Sequence, residues 1–282
     1  MTSTSYLGKP TSRVEGRAKV TGAAKYAGEY NVPRLAHGCV ISSAIAKGRI
    51  KRIHTADALA VDGVLDVLTH EHRFKLASSP KKYTDEVAPE NGASFRPLYD
   101  DKILYNGQPV ALVVAEKFEI ARFAASLVRV EYAQEGHDTD FEGQRDRAKV
   151  RKQNSEAPLH TRGQAARAFA QAPVKVEAEY LMPVEHHNPM ETYAATVVWE
   201  GDGALTIYDK TQGLQNCRNY VCNVLGLKPD KVRVLSPYVG GGFGSGLRPQ
   251  YELPLAAMAA LMLKRSVRVT LTRQQMLSLI HI

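Results

Sequence analysis

Apolar positions in the first half of the chain recur with spacings that predict short strands around one helix. Val40 to Ser42 and Val64 to Leu68 have the length of short strands, and residues 108–115 form a continuous apolar run typical of a buried strand. Residues 117–126 follow with helical spacing, and residues 127–132 alternate like a returning strand. This β-α-β segment predicts a mixed α and β fold. The helical spacing gathers four residues on one side: Phe118, Ala121, Ala124 and Ala125.

The pattern changes between residues 136 and 172, which are polar, rich in charge and glutamine, and interrupted by Pro158 and Gly163. Like charges between Arg145 and Lys152 repel one another and favour a solvated segment. We therefore predict a linker or surface crossing here, between a first and a second structural unit.

The second part of the chain regains its periodicity. Residues 174–180, 194–199 and 204–209 alternate like strands, and Gly201-Asp202-Gly203 predicts the hairpin turn between the last two.

Two further helices and two strands are predicted beyond residue 210. Residues 214–225 have helical spacing and end at Gly226, and residues 252–264 predict a second helix. Residues 231–235 and 267–272 predict strands. The first helix places five residues on one face: Leu214, Cys217, Val221, Val224 and Leu225.

Composition places the chain among ordinary globular proteins. Its 282 residues suit about two domains, with 44% apolar and 23% charged residues. Three cysteines, Cys39, Cys217 and Cys222, offer no disulfide framework, which favours a reducing, cytoplasmic compartment. The polar N-terminus is not a secretory signal, and the longest apolar run, residues 255–263, is too short to span a membrane.

The net charge of +8 suits a solvated basic surface, an anionic cofactor, an acidic partner or nucleic acid. Basic residues cluster at 47–52 and 145–152 without interleaved aromatic residues. Because base-stacking surfaces need such aromatic residues, the sequence gives nucleic acid no support.

The most distinctive segment is Val-Gly-Gly-Gly-Phe-Gly-Ser-Gly at 239–246, between a predicted strand and a predicted helix. Its five glycines permit positive φ and close backbone approach, and free N–H groups at a helix start favour an anion. A tight strand-to-helix turn is the alternative. The segment matches neither the Walker phosphate loop nor Gly-x-Gly-x-x-Gly. Phe243 suggests a bulky, partly planar ligand.

Two other polar segments have a chemical and a structural interpretation. Gln212, at a strand-to-helix turn, can donate to a metal-oxo or carbonyl oxygen, although turn glutamines are often purely structural. His186 and His187 do not share a face and lack a spaced second pair, so we predict no metal site there. Cys217 and Cys222 suit core packing better than ligation.

Six segments in a fixed order carry a family resemblance: Gly-Arg-Ala-Lys-Val-Thr-Gly-Ala-Ala-Lys-Tyr at 16–26, Ser43 with Gly-Arg-Ile at 48–50, Tyr-Asn-Gly-Gln-Pro-Val-Ala at 105–111, Asn-Pro-Met-Glu at 188–191, Tyr-Asp-Lys-Thr-Gln at 208–212, and the glycine segment. The series resembles the large, molybdopterin-binding subunit of the xanthine dehydrogenase and aldehyde oxidoreductase family. It runs from about residue 8 to 276; each motif is weak, and their order is specific.

The resemblance implies an α+β chain with two domains. An α/β hammerhead domain is expected at 15–135, the linker or crossing segment at 136–172, and a truncated first molybdopterin-binding domain at 173–276.

The resemblance also implies a set of site residues. Gln212 would donate to an oxo ligand of molybdenum, and the backbone near the metal would line the cofactor. The implied reaction oxidises an aldehyde or an aromatic heterocycle. The loop residues implied at the cofactor are Gly241, Gly242, Phe243 and Gly244.

The implied cofactor is molybdenum-molybdopterin, with the cytosine dinucleotide form as one alternative. Electrons would leave through iron–sulfur clusters and FAD, which need an iron–sulfur subunit and an FAD subunit because this chain lacks the ligand cysteines. The remaining implied partner is a small aldehyde, with no nucleic acid and no membrane span. A periplasmic location stays open, since a partner subunit could carry the export signal.

The sequence departs from the family pattern at two positions after the loop. Family members that bind purines place a glutamate four residues after the loop phenylalanine, where this chain has Leu247. This difference favours aldehydes, aromatic ones above all, over xanthine, and the neighbouring Arg248 is a candidate for orienting a polar substituent. Gly246 stands where a lysine is common.

The family's general base is a glutamate near a far C-terminus, so the resemblance implies no catalytic residue within these 282 residues. Residues 277–282, Leu-Ser-Leu-Ile-His-Ile, match the codons of a common transposase sequencing adapter. We expect them to be an artefact; a genuine hydrophobic strand end is the alternative.

Two functional classes remain after the sequence analysis. The first is a molybdenum hydroxylase subunit that oxidises aldehydes and is inactive as this fragment. The second is a non-catalytic scaffold subunit that keeps the hammerhead and the loop for assembly. A generic nucleotide-binding protein is disfavoured by the absent phosphate-loop patterns.

Overall fold

The computed structural model describes residues 8–86, 96–148 and 162–277. Its strands, in chain order, are β1 Ala36–Ser42, β2 Gly48–His54, β3 Val64–Thr69, β4 Lys102–Ile103, β5 Pro109–Ala115, β6 Arg129–Gln134, β7 Ala194–Trp199, β8 Leu205–Asp209, β9 Val232–Leu235 and β10 Val267–Thr270. Its α-helices are α1 Gly16–Val20, α2 Ala56–Leu59, α3 Phe118–Leu127, α4 Ala165–Gln171, α5 Leu214–Leu225, α6 Glu252–Leu263 and α7 Arg273–Leu277. Short 3₁₀ turns lie at Ala27–Glu29, Pro80–Tyr83, Glu142–Arg147 and Pro229–Lys231.

Seven strands form one mixed sheet in the order β3-β5-β1-β10-β7-β8-β9. The pairs β1–β10 and β8–β9 are parallel, and the other neighbours are antiparallel. A separate antiparallel sheet has the order β4-β2-β6. The α+β class is therefore confirmed, and β10 joins strands from both halves of the chain.

Strand β5 shows how helices cover both sides of the large sheet. All of its residues are buried, as its continuous apolar run predicts. Leu112 and Val114 belong to the main hydrophobic core, whereas Val113 packs with Ala58 and Ala124 of helices α2 and α3. Alternate strand side chains point to opposite faces, so a strand covered on both sides is apolar throughout.

Helix α6 lies inside the main core. Every residue from Glu252 to Leu261 is buried, and the helix packs against β7, β10 and α5. A helix with apolar residues around its whole circumference must be buried on all sides. Helix α5 instead buries a face that includes Cys217 and Val221, and it ends at Gly226 with a φ of +67°.

Most predicted elements are confirmed within two residues, but the strand predicted at 174–180 is wrong. Val174 and Val176 are 79% and 77% exposed, and no strand occurs between 162 and 193. Alternation produces a strand only where a neighbouring strand supplies hydrogen bonds, and the described residues offer none here.

Other differences concern the ends and faces of elements. Helix α3 continues to Leu127, so β6 starts later than predicted. Strand β6 pairs with β2 in the small sheet, whereas β5 lies in the large sheet. The two strands of the predicted β-α-β segment therefore belong to different sheets. Phe118 and Leu214, predicted on buried helix faces, are 41% and 42% exposed because each begins its helix.

The chain divides into two compact units, residues 1–136 with 186–282, and residues 137–185. In the smaller unit Arg145 forms ion pairs with Glu142 and Glu179. None of its described residues between 137 and 172 is buried. The boundaries of the two expected domains and the linker stay a prediction.

Two further expectations concern residues 277–282 and membrane-spanning helices. Of the suspected adapter residues, Leu277 ends helix α7, and residues 278–282 lie outside the described residues. Among the described helices, none has the length and apolar character needed to cross a bilayer.

Candidate functional site

The glycine loop occupies the connection between β9 and α6, as predicted, but it ends well before the helix begins. Ser245 N donates to Gly242 O, and Leu247 N donates to Gly244 O, so the segment folds into its own turns. Helix α6 starts only at Glu252. The sequence analysis expected free N–H groups at a helix start to bind an anion here. That expectation is corrected, because the helix starts too far from the loop and only the loop's own amides lie at this position.

The loop backbone adopts conformations that require glycine or impose strain. Gly241 and Gly244 have φ values of +93° and +94°, which glycine adopts readily. Phe243 has a φ of +54°, a region that bulky residues rarely occupy, and its side chain is 72% exposed. Such strain persists only where the surroundings impose it, and it is common at functional sites.

The side chain of Gln212 is held by the loop in one orientation. Its backbone N donates to Gly246 O at 2.8 Å, and its Oε1 accepts from Gly244 N and Gly246 N, each at 3.2 Å. Two donors on Oε1 fix which end of the amide is oxygen. The Nε2 group has no partner within the described ranges, so both of its hydrogens are available to a ligand.

Gly242 allows the loop to cover this side chain. A Cβ atom at Gly242 would lie 2.3 Å from Gln212 Oε1 and 2.4 Å from its Cδ. Contacts of that length do not occur, so only glycine lets the loop backbone approach Gln212 this closely.

Thr211 connects the turn before α5 to the end of the loop. Its buried Oγ1 donates to Gly246 O at 3.2 Å and accepts from Gly213 N at 2.9 Å. Cys217 Sγ also donates to it at 3.1 Å. The hydroxyl thus fixes the positions of both segments that hold Gln212.

Three consecutive loop amides are left without acceptors. Within the described part of the chain, the N–H groups of Gly241, Gly242 and Phe243 donate to no protein atom. Successive free amides in such a loop favour a ligand with negative or partly negative oxygen or sulfur atoms. Together with Gln212 Nε2, these donors suit the ligand atoms of a molybdenum-molybdopterin group.

A cavity of about 190 Å³ adjoins the loop. Arg248 lies on its wall, and Arg248 Nε donates to Asp85 Oδ2 at 2.9 Å. Leu247, 43% exposed, is not among the lining residues. The lining residues are His186, His187, Asn188, Pro189, Tyr193, Gly244, Ser245, Arg248, Gln250, Met276 and Leu277.

Near this wall lie three charged residues to which the sequence analysis gave no role, here called the buried charge cluster: Asp209, Lys210 and Glu252. Each is at most 3% exposed, and Lys210 Nζ lies 4.1 Å from the centre of the Tyr193 ring. Asp209 Oδ1, Lys210 Nζ and Glu252 Oε2 have no hydrogen-bond partner among the described residues. The sequence feature that could have revealed this cluster is Glu252, a charged residue at the start of a long apolar run.

Burial dominates the protonation of the buried charge cluster. It raises the pKa of Asp209 to about 7, with the charge of Glu191 adding to the effect. It also raises the pKa of Glu252 well above its ordinary range, with Asp209 adding to the effect. Burial lowers the pKa of Lys210, although its carboxylate neighbours oppose this. Removing water disfavours every charged form, so the cluster favours states with few charges.

The other candidate ligands are placed as follows. His186 and His187 both line the cavity, and the described residues contain no group of three or more His, Cys, Asp or Glu side chains able to hold a metal ion. Cys217 and Cys222 are buried in the main core, as predicted.

Two family models match almost the whole chain. The model described as the aldehyde oxidase and xanthine dehydrogenase a/b hammerhead domain matches residues 21–136. The model described as the molybdopterin cofactor-binding domain matches residues 148–280, which include Gln212 and the glycine loop.

The chain is also similar in sequence to subunits of two oxidoreductases. The chain is 36% identical over 269 residues to the molybdenum-binding subunit of an aldehyde oxidoreductase from Escherichia coli, covering 95% of this chain and 35% of that protein. It is 31% identical over 273 residues to the large chain of a carbon monoxide dehydrogenase from Hydrogenophaga pseudoflava, covering 88% and 33%.

Solved structures agree with these relatives. Quinoline 2-oxidoreductase from Pseudomonas putida superposes with a TM-score of 0.77 at 26% identity, covering 94% of this chain and 34% of the other. Aldehyde oxidoreductase from Desulfovibrio gigas gives 0.74 at 25% identity, covering 94% and 30%. The chain thus spans about a third of the length of the relatives it matches.

Proposed function

The chain belongs to the aldehyde oxidase and xanthine dehydrogenase family, and from this premise we propose that it forms part of the cofactor site of a molybdenum-dependent oxidoreductase that converts aromatic aldehydes to carboxylic acids. The observation that carries the proposal is the fixed amide of Gln212. Its oxygen is occupied by Gly244 N and Gly246 N, so its two N–H donors are held ready for a ligand.

When bound, molybdenum-molybdopterin supplies the two-electron oxidation of the substrate. The residues of this chain bind and orient it. Gln212 Nε2 would donate to an oxygen atom of the bound group, and the amides of Gly241, Gly242 and Phe243 would donate to its other acceptor atoms. Fixed donors of this kind need no rearrangement during the reaction, which is how preorganised sites lower a barrier.

The proposed substrate class rests on Leu247. An apolar side chain there offers a purine no carboxylate, whereas an aromatic aldehyde needs none. Arg248 is proposed to orient a polar ring substituent, and its Nε is already held by Asp85 at 2.9 Å. A lost charged hydrogen bond costs about 1.5–3 kcal/mol, so we expect roughly ten- to a hundredfold discrimination against xanthine.

The proposed complex includes an iron–sulfur subunit and an FAD subunit. This chain has three cysteines in all, and Cys217 and Cys222 are buried in the core, which leaves no set of four thiolates for a cluster. The cytosine dinucleotide form of the cofactor is part of the same proposal. The alternative is a scaffold: a subunit of the same family that assembles with these partners but binds no metal.

The test uses the full-length protein co-produced with its partner subunits. Molybdenum per chain is measured, together with dye-linked oxidation of benzaldehyde and of xanthine. We expect stoichiometric metal and preference for benzaldehyde. Metal with preference for xanthine would overturn the substrate class, and an assembled complex without metal would favour the scaffold.

The role of Gln212 is tested by Gln212→Glu in the same complex. A glutamate oxygen still accepts from Gly244 and Gly246, but the second oxygen cannot donate, so we expect kcat to fall about a hundredfold. Gln215→Glu, on the exposed surface of α5, is the matched control. Equal kcat values for the two variants would refute the donor role.

A further inference from the structure

Glu191 ends the Asn-Pro-Met-Glu motif, and the proposed function gives it no role. Its Oε2 accepts from Gly240 N at 2.6 Å, and its Oε1 accepts from Ala27 N at 3.3 Å. Its own N–H donates to Gly240 O at 3.0 Å. One side chain therefore bridges the start of the glycine loop and the 3₁₀ turn at Ala27–Glu29.

We propose that Glu191 is a positioning residue that fixes the first half of the glycine loop to the large sheet, so that the free amides of Gly241, Gly242 and Phe243 stay available to one ligand. This inference rests on the proposed function only for the identity of that ligand. The fixation itself belongs to the chain without any cofactor.

The 3₁₀ turn that Glu191 contacts is itself hydrogen-bonded to the large sheet. Thr196, a fully buried residue of β7, donates its hydroxyl to Ala27 O at 2.7 Å. Arg268 of β10 donates from Nε to Thr196 Oγ1 at 2.9 Å and from Nη2 to Tyr30 O at 2.6 Å. The turn is therefore attached to two central strands of the sheet, and Glu191 transmits that attachment to the loop.

The motif around Glu191 is itself held in place by helix α7. Arg273 donates from Nη2 to Met190 O at 2.8 Å and from Nη1 to Asn188 Oδ1 at 3.2 Å. It also donates to Pro189 O. Glu191 thus extends from a segment fixed on its N-terminal side, which limits how far its carboxylate can move.

The contact with Gly240 depends on close approach and on two acceptor atoms. A Cβ atom at Gly240 would lie 2.5 Å from Glu191 Cβ. The carboxylate satisfies one amide with each oxygen, which a glutamine can do only in part and a methionine cannot do at all. Methionine fills nearly the same space, so it separates hydrogen bonding from packing.

The test compares amide hydrogen exchange in the 282-residue chain carrying Glu191→Met or Glu191→Gln. We expect Glu191→Met to raise exchange of the Gly240 amide about tenfold or more, as for a lost charge-assisted hydrogen bond, while amides of β7 stay unchanged. Glu191→Gln should retain most of the protection, because its oxygen can accept from Gly240. Glu185→Gln, exposed in the chain before the motif, is the control.

Equal protection at Gly240 in the methionine and glutamine variants would overturn the proposal, since packing alone would then suffice. A uniform rise in exchange across β7 and the loop would overturn it as well, because it would show general destabilisation. In the full-length complex we expect Glu191→Met to retain less molybdenum than Glu191→Gln. A wild-type complex without molybdenum would end the proposed function and leave the exchange result standing.

Discussion

Gly242 shows what a missing side chain contributes at the scale of one residue. It has no positive φ, so conformational freedom does not explain it. Its role is spatial: the loop passes over the Gln212 amide at a distance that no Cβ atom permits. Glycine in such a position permits a binding geometry rather than stabilising a turn.

We therefore expect Gly242→Ala to impair function far more than stability. The colliding atom belongs to the end of a flexible side chain, so the free energy of unfolding should change by only about 1 kcal/mol. Gln212 must move, however, and lose its bonds to Gly244 and Gly246, so turnover by the full-length complex should fall about a hundredfold.

The matched control for this prediction is Gly136→Ala, where an added Cβ meets nothing within 4 Å and φ is unrestricted. Denaturant unfolding and kcat are measured on both variants. A loss of stability in Gly242→Ala of several kcal/mol, or unchanged turnover, would contradict the assigned role.

At the scale of elements, the end of β8 and the start of α6 bury charges that ordinary elements keep in water. Asp209 faces Glu191, Lys210, Glu252 and Cys217. A carboxyl group with a raised pKa stays protonated in the folded chain after the unfolded chain has ionised. Folding stability then depends on pH in a defined window.

The expected result is a free energy of unfolding that falls as pH rises from about 4 through about 7. The ordinary pKa of Asp209 is 3.8 and burial raises it to about 7, so the folded chain binds one more proton in this window. The slope is at most about 1.4 kcal/mol per pH unit for one group. Asp209→Asn, which mimics the protonated form, should flatten this fall.

This pH dependence is checked by measuring the free energy of unfolding in denaturant at pH 5, 6, 7 and 8 for wild type and Asp209→Asn. Asp230→Asn, on the surface, is the control. Parallel curves for wild type and Asp209→Asn would show that Asp209 is ionised throughout and that Lys210 neutralises it. The two curves should instead converge towards low pH.

The sequence predicted elements well where burial alone decides them, as at β5 and α5. It failed at 174–180, because alternation says nothing about whether a partner strand is present. It also placed Phe118 and Leu214 on buried faces, although helix ends are often exposed whatever their period. Periodicity describes one chain segment, whereas exposure depends on what packs against it.

The candidate site was predicted in its residues but not in its contacts. Gln212 and the loop were singled out by their residue types and positions, their roles came from the resemblance, and those roles stay a prediction. The reciprocal bonds between Gln212 and Gly246 and the bridge from Glu191 to Ala27 join segments up to 164 positions apart. No pattern in a single sequence specifies such pairings.

At the scale of the whole molecule, the chain spans about a third of its relatives' length, so it would form only part of the proposed cofactor site. We expect purified residues 1–282 to hold far less than one molybdenum per chain and not to turn over substrate, because they correspond to only about a third of the relatives' length. The resemblance implies that the general base lies outside these residues, and such a base typically contributes 10²- to 10⁴-fold. Metal analysis beside the full-length complex checks this. One molybdenum per 282-residue chain would contradict this expectation and show that Gln212 and the glycine loop suffice to hold the cofactor.

The position of β10 between β1 and β7 has a consequence for synthesis. Ala36 pairs with Val267, so β1 waits through roughly 230 further residues for its neighbour. At translation rates of about 5–20 residues per second, that interval is about 10–50 s. An unpaired strand edge attracts other chains throughout that time. The yield of folded protein should therefore depend on elongation speed and on chaperones at the ribosome, even when the finished fold is stable.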